Sequence, residues 1–194
     1  AEKALLRAED TAREVIRDIG YDDPATGFDY RSCAVIRSLH GQSPDISQGV
    51  TEDRKAHKEQ GAGDQGLMFG FACNETKALM PMPIHLSHRL TARLSEAREK
   101  GILKWLRPDG KSQVTVEYVD DVPTRIHTVV ISTQHTAEVV NPRTKNVTEK
   151  AKKQIIEEII KPVIMAECPK MWNNQITYHI NPTGRFEVGG PHGD

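Results

Sequence analysis

An aspartate lies among glycines where residues 61–66 read GAGDQG. A carboxylate held in a glycine-rich loop suits a cationic group, such as the ammonium of an amino acid. The spacing also fits G-x-G-x-x-G, but a dinucleotide-binding turn needs a buried strand before it and a helix after it. Residues 55–60 are polar and Asp64 would repel phosphate, so we reject that interpretation. On spacing alone, a flexible turn is the simpler interpretation.

Composition narrows the classes of function. The chain has 194 residues, 37% hydrophobic and 27% charged, which predicts one or two packed domains. A net charge of -1, with both signs interspersed, argues against nucleic acid and anionic membranes as partners. No run approaches the roughly 18 apolar residues of a membrane span, and no signal-peptide pattern begins the chain. We therefore expect a cytoplasmic protein.

The spacing of the cysteines also supports the expectation of a cytoplasmic protein. The three cysteines, Cys33, Cys73 and Cys168, lie far apart and form no C-x-x-C pair. This spacing argues against a zinc site or a disulfide framework and favours a reducing compartment. We expect all three to be buried as small apolar residues.

Hydrophobic periodicity predicts three helices. Apolar residues recur at helical spacing over residues 4–19, 85–100 and 146–160. Gly20 follows the first helix, Gly101 follows the second, and Pro162 is expected to end the third.

Strand signals lie mostly between these helices. Residues 114–118 and 126–132 are rich in β-branched side chains, and a turn around Asp120 to Pro123 joins them as a hairpin. Residues 175–180 are a further strand candidate, and residues 33–36 are a short apolar run consistent with a strand. This mixture predicts an α+β fold of two-layer domains, with helices on one face of a largely antiparallel sheet.

Residues 42–66 are almost wholly polar and rich in glycine. So long a segment without apolar anchors contributes little to a core, and such loops are usually lids, binding loops or linkers. We predict that residues 42–60 are a mobile gate.

The residues that follow the glycine-rich loop, together with four other blocks of the sequence, change how this loop is interpreted. Residues 61–70, GAGDQGLMFG, resemble a signature of S-adenosylmethionine synthetases. Four further blocks agree in order: QSPDI at 42–46, WLRPDGKSQ at 105–113, STQH at 132–135, and residues 181–194 with their GRF and GGP. The resemblance covers nearly the whole chain. It implies the end of an N-terminal domain at 1–41, a mobile active-site loop at 42–60, a central domain at 61–183 and the start of a C-terminal domain at 184–194.

The resemblance also implies a function and a set of binding residues. It implies a methionine adenosyltransferase, which transfers the adenosyl group of ATP to the sulfur of L-methionine and releases phosphate and diphosphate. Three residues would bind methionine: Gln42, Asp64 and Asp194. Five would bind ATP: Asp109, Gly110, Lys111, Arg185 and Phe186.

The implied chemistry explains why the sequence contains no recognisable nucleophile–base pair. A thioether sulfur has no proton to remove, so its attack on C5′ of ATP needs no general base. The reaction needs alignment of the reacting atoms and cations that stabilise charge on the departing triphosphate. Lys111 and Arg185 are therefore the catalytic candidates, with Phe186 stacking on adenine. Without the resemblance, both cations would be interpreted as surface charges. His127 and His135 are interpreted as strand histidines without a catalytic role.

The chain also departs from the family pattern. It lacks an N-terminal His-Pro-Asp-Lys block, stops at Asp194 before a Gly-Gly-Gly-x-Phe-Ser-x-Lys segment, and has Glu187 where an apolar residue is expected. We expect a longer parent protein, Mg²⁺ and K⁺ as cofactors with no metal ligand in this portion, and a homodimer or homotetramer. The alternative is a catalytically silent nucleotide- and methionine-binding or regulatory fragment that pairs with a full-length subunit.

Overall fold

A computed structural model describes residues 6–194 of the chain. These residues form two compact units, one of residues 6–33 with 72–194 and one of residues 34–71. The helices of this described part are α1 (Ala8–Ile19), α2 (Pro44–Val50), α3 (Met82–Glu99), α4 (Glu149–Ile155) and α5 (Lys161–Glu167). The strands are β1 (Leu106–Val119), β2 (Val122–His135) and β3 (Thr177–Ile180).

The strands form one sheet in the order β1-β2-β3. β1 and β2 are antiparallel, whereas β3 runs parallel to β2. Asp120 and Asp121 join β1 to β2, with φ values of 49° and 61°. Positive φ at both positions is the type I′ geometry that matches the twist of a hairpin. The predicted hairpin is confirmed, and both of its strands are longer than predicted.

Helix α3 covers one face of this sheet. Its buried residues recur every three or four positions: Met82, Leu86, Leu90, Leu94 and Ala97. This spacing places them on one stripe of the helix. They pack in one core with buried strand residues such as Val129 and Ile131. The predicted helix is confirmed with an earlier start, and so is the predicted α+β fold with a largely antiparallel sheet.

Pro162 does not end the third predicted helix, contrary to our prediction. Helix α4 continues through a π turn (Ile156–Ile160) into α5. Proline has no N–H, so Pro162 leaves the carbonyl of Glu158, four residues earlier, without its helical partner. Arg93 Nε of α3 donates to that carbonyl at 2.9 Å. A contact from another helix thus replaces the missing bond, and the π turn accommodates the proline ring.

Helix α1 has the predicted amphipathic pattern, and Gly20 ends it with φ of 109°. The part of this predicted helix before residue 6 lies outside the described residues. Beyond the helix, the Asp23 carboxylate accepts from Ala25 N–H at 2.9 Å and pairs with Arg107 of β1 at 2.7 Å. The bond from Ala25 and then that from Arg107 hold the pKa of Asp23 below its ordinary value. This ion pair ties the residues after α1 to the sheet.

Residues 34–71 differ from expectation in two ways. The short apolar run at residues 33–36, whose pattern is consistent with a strand, forms none, and Ile36 is 93% exposed. A short apolar run forms a strand only where a partner strand is available, and this one has none among the described residues. The polar segment is also not structureless, because it contains α2 and an antiparallel bridge between Asp53 and Lys58.

Cys33, Cys73 and Cys168 are free thiols that are only partly buried, so the expectation that all three are buried is wrong. Burial, and then the charge of Glu167, raises the pKa of Cys168 to about 11. A thiol with so high a pKa stays protonated at neutral pH. Among residues 6–194, no helix has the length and apolarity required to cross a membrane.

Candidate functional site

The candidate ATP-binding residues lie where the end of β2 contacts the chain after β3. Phe186 and His135 exchange two hydrogen bonds. The His135 N–H donates to the Phe186 carbonyl at 3.0 Å, and the Phe186 N–H donates to His135 Nε2 at 2.8 Å. Beside them, Gln134 Nε2 donates to the carbonyl of Glu187 at 3.0 Å. These bonds hold residues 186 and 187 along the end of the sheet.

Asp109 reaches the same region from β1. The pairing of β1 with β2 is interrupted between Leu106 and Gly110, which face His135 and Thr133. The extra residues in β1 form a bulge, and bulges re-aim side chains. The Asp109 carboxylate accepts a hydrogen bond from Gly190 N–H at 2.9 Å. The structure therefore brings Asp109 to the segment that carries Phe186.

Two glycines make this contact possible. A side chain at Gly189 would meet the Phe186 ring, and would lie 3.0 Å from Asp109 Oδ2. A side chain at Gly190, where φ is 63°, would overlap the Tyr21 hydroxyl. Close approach at both positions and positive φ at Gly190 require glycine. The GGP block thus lets residues 186–190 pack against Asp109 and Tyr21.

We expect Gly190→Ala to destabilise the protein by about 2 kcal/mol or more, because it combines an overlap with a left-handed backbone. Urea denaturation of both proteins measures the change. Gly41→Ala is the matched control, since a side chain there meets nothing within 4 Å. Equal unfolding free energies for the two variants would contradict the packing described for Gly190.

Tyr21 shows how close the acidic residues lie. Burial first, and then the charges of Asp109 and Asp194, raise the pKa of the Tyr21 phenol. The Asp194 N–H also donates to the Gly190 carbonyl at 3.2 Å. Asp194, predicted to bind methionine, therefore lies near Asp109, predicted to bind ATP.

The candidate cations are available to a ligand. The Lys111 side chain is exposed on β1 and makes no hydrogen bond or ion pair with another described residue. The Arg185 side chain is 61% exposed, and its Nη1 lies 4.0 Å from Glu187 Oε1. An exposed pair at that distance holds an arginine weakly. Gly110, the residue before Lys111, packs against α3, since an added side chain there would come 3.3 Å from Leu94.

Gln42 and Asp64 belong to the other unit, residues 34–71. Both are exposed, Gln42 shortly before α2 and Asp64 in the glycine-rich loop. The Asp64 carboxylate accepts from the N–H of Gln65 at 2.7 Å, and Gly61 N–H donates to the carbonyl of Val50 at the end of α2 at 2.9 Å. No strand precedes this loop and no helix follows it directly, which agrees with our rejection of a dinucleotide-binding turn.

A metal ion finds no ligand set within residues 6–194. No group of three or more His, Cys, Asp or Glu side chains there has the geometry to hold one. One carboxylate oxygen of Asp109 already accepts from Gly190 N–H. The described residues therefore do not fit Mg²⁺ as a resident ion, and we assign no metal ligand among them.

Sequence reasoning missed the residues that shape this site. From the sequence alone, His135 is an ordinary strand histidine, and Tyr21, Gly189 and Gly190 have no role. The partner of His135 lies 51 residues further along the chain, and that of Asp109 lies 81 residues further. The sequence signal for His135, Gly189 and Gly190 is their position inside the blocks STQH and GGP, whereas Tyr21 lies outside these blocks.

Comparison with known proteins adds a family match. The family model described as S-adenosylmethionine synthetase, central domain, matches residues 59–186. A protein of a Nitratiruptor species, named S-adenosylmethionine synthase, is 55% identical over 186 residues, covering 96% of this chain and 45% of that protein. A protein of the same name from Desulfosudis oleivorans is 52% identical over 191 residues, covering 98% of this chain and 47% of that protein. The chain spans about half the length of these curated relatives.

Proposed function

Because the chain belongs to the S-adenosylmethionine synthetase family, we propose that it forms the central part of a methionine adenosyltransferase. This enzyme would join L-methionine to the adenosyl group of ATP and release phosphate and diphosphate. The observation that carries the proposal is the match of the central-domain family to residues 59–186. Identities of 55% and 52% with the two named relatives support it further.

In the proposed reaction, the methionine sulfur attacks C5′ of ATP with its lone pair. The C5′–O bond breaks, and its electron pair stays on the triphosphate oxygen. Water then hydrolyses the bound triphosphate to phosphate and diphosphate before release. No proton leaves the sulfur, so this step needs no general base. What it needs is alignment of the reacting atoms and positive charge near the leaving oxygen.

Several described residues could align the reacting atoms and supply positive charge near the leaving oxygen. Exposed Lys111 and Arg185 would meet the triphosphate, and the half-buried Phe186 ring would stack on adenine. Asp109 and Gly110 would complete the ATP contacts. Gln42, Asp64 and Asp194 would bind methionine, with Asp64 as the partner of its ammonium group. We further propose that residues 42–60 act as a mobile active-site loop.

We propose that the activity requires Mg²⁺ and K⁺, but we assign no ligand of either ion to the described residues. Divalent ions neutralise the charge of a departing phosphate chain. Since residues 6–194 hold no suitable ligand set, no step above is assigned to a metal ligand.

We also propose that the protein acts as a homodimer or homotetramer. The sheet supports this, because α3 covers only one of its faces. On the other face, β1 presents exposed residues at alternate positions: Lys111, Gln113, Thr115 and Glu117. A face of a sheet left open in one subunit is a natural place for a second copy.

The activity is testable in a hybrid protein. Residues 1–194 would replace the matching residues of the Nitratiruptor relative, so that its remaining half is kept. With methionine, ATP, Mg²⁺ and K⁺, we expect the hybrid to form S-adenosylmethionine, measured by mass spectrometry. The unmodified relative is the positive control.

A hybrid that binds ATP and methionine but forms no product would favour the alternative of a silent binding or regulatory module. A folded hybrid that binds neither substrate would refute the proposed function for this chain.

A further inference from the structure

The last two residues of β2, Gln134 and His135, are fully buried polar side chains, with 0% and 1% exposure. Burying an imidazole is costly unless its nitrogens are hydrogen-bonded. Both nitrogens of His135 have partners. Nδ1 lies 2.9 Å from the carbonyl oxygen of Thr136, and Nε2 lies 2.8 Å from the amide nitrogen of Phe186. The two contacts therefore satisfy both nitrogens of the buried imidazole.

The two partners determine which nitrogen carries the proton. The Thr136 carbonyl can only accept, so Nδ1 must be the donor. The Phe186 amide can only donate, so Nε2 must accept through its lone pair. His135 is therefore the neutral Nδ1–H tautomer. An imidazolium would direct a second N–H against the Phe186 amide and lose that bond.

The hydrogen bond from Phe186 N–H to His135 matters because Phe186 carries the aromatic ring that is proposed to stack on adenine. Its backbone is held on both sides, since its carbonyl accepts from the His135 N–H at 3.0 Å. Further along, Gly190 N–H is fixed on Asp109 at 2.9 Å. Residues 186–190 are thus fixed at both ends, while the Phe186 ring is only half-buried and the Arg185 side chain stays exposed.

We propose that His135 is a positioning residue for the nucleotide. Through Nε2 it holds the backbone of Phe186, so that the phenyl ring and the neighbouring Arg185 are pre-organised for the adenine and the phosphates of ATP. His135 itself touches neither. The inference rests on the proposed function, because that proposal supplies the nucleotide as the ligand of Phe186 and Arg185. Holding binding groups in place before the ligand arrives increases affinity by reducing the entropy lost on binding.

Two substitutions separate positioning from packing. His135→Gln keeps an acceptor oxygen at about the reach of Nε2, whereas His135→Met fills a similar volume with only a weakly accepting sulfur. Hydrogen–deuterium exchange of the peptide spanning residues 185–190, measured in the chain without ligand, reports how strongly the bond to residue 135 protects the Phe186 backbone. We expect His135→Met to speed this exchange roughly tenfold, the effect of losing about 1.4 kcal/mol, and His135→Gln to restore slow exchange.

The same variants in the hybrid enzyme test the effect on the nucleotide. We expect His135→Met to raise the KM for ATP about tenfold and to leave the KM for methionine within about twofold, with His135→Gln close to the parent. If glutamine and methionine behave alike, or if both KM values rise together, the positioning role is wrong. A folded parent hybrid that binds neither substrate would refute the proposed function, whereas an active hybrid with an unchanged ATP KM in His135→Met would refute the positioning alone.

A third measurement needs no variant and guards against loss of folding. The ¹⁵N chemical shifts of the His135 ring in the parent chain distinguish the tautomers. The Nδ1–H form is expected, and the Nε2–H form or an imidazolium at neutral pH would overturn the proposal.

Discussion

Replacing Lys111 or Arg185 by alanine should lower the rate of adenosyl transfer in the hybrid enzyme by roughly 30- to 1,000-fold. This corresponds to about 2–4 kcal/mol of transition-state stabilisation, the usual effect of losing a charge-assisted contact to a developing anion in a water-poor site. Single-turnover measurements isolate the chemical step from product release. Methionine binding should change little, because both cations are assigned to the triphosphate and not to methionine.

The structure explains why such losses would report on the reaction rather than on folding. The Lys111 side chain makes no hydrogen bond or ion pair with the described residues, and Arg185 only approaches Glu187 at 4.0 Å. Substituting an exposed side chain without partners changes stability by roughly 0.5 kcal/mol or less. Both variants should therefore unfold at the same urea concentration as the parent.

Lys104→Ala is the matched control. Lys104 is exposed, lies close to Lys111 in sequence, and its side chain has no bonded partner among the described residues. Its removal alters the net charge by the same amount, so it should leave the rate unchanged. Rates within a few-fold of the parent for Lys111→Ala and Arg185→Ala would remove both residues from the catalytic assignment.

Local sequence predicted the parts of the fold whose causes are local. The hairpin follows from Asp120 and Asp121, because two short polar residues that tolerate positive φ specify the turn. The α3 stripe follows from leucines at helical spacing, such as Leu86 and Leu90. In both cases the deciding contacts lie within a few residues of each other along the chain.

Predictions failed where a distant partner decides the outcome. The chain continues helically past Pro162 because Arg93, on another helix, bonds the carbonyl that proline leaves free. The apolar run around Ile36 forms no strand because no described strand pairs with it. No short-range pattern contains either fact.

The same distinction between local causes and distant partners applies to the candidate site. The resemblance implies that Asp109 and Phe186 bind a ligand, but not that Asp109 bonds Gly190 or that Phe186 bonds His135. Those contacts join residues that lie far apart in the second half of the chain, so they depend on the completed sheet. Family motifs can therefore indicate which residues bind, while the residues that hold them in position emerge only from the fold.

The second large effect that we expect is a loss of stability when Asn181 is replaced. Asn181 is buried, with 5% exposure, and it follows the last residue of β3. Its side-chain oxygen accepts from Thr133 N–H at 3.2 Å, and its Nδ2 donates to the Thr133 carbonyl at 2.9 Å. Asn181 N–H donates to the Ile131 carbonyl at 2.8 Å. The side chain thus takes over the pairing of β2 where β3 has ended.

Asn181→Ala should lower the free energy of unfolding by about 3 kcal/mol, measured by urea denaturation. It leaves the buried N–H and carbonyl of Thr133 without the partners that the side chain supplies, at a cost of about 1–3 kcal/mol for such groups. It also places alanine at φ of 44°, which adds about 0.5–1 kcal/mol because asparagine tolerates this conformation better.

Asn181→Gly separates these two contributions, since glycine accepts positive φ but lacks the bonding side chain. We expect it to lose about 2 kcal/mol, with the remaining difference from alanine reporting the backbone conformation. Asn174→Ala, at an exposed asparagine shortly before β3, should stay within about 0.5 kcal/mol of the parent. If Asn181→Ala costs no more than Asn174→Ala, the side chain does not continue the pairing of β2. If Asn181→Gly matches the parent, the cost of alanine comes from the backbone alone and the two bonds to Thr133 contribute nothing.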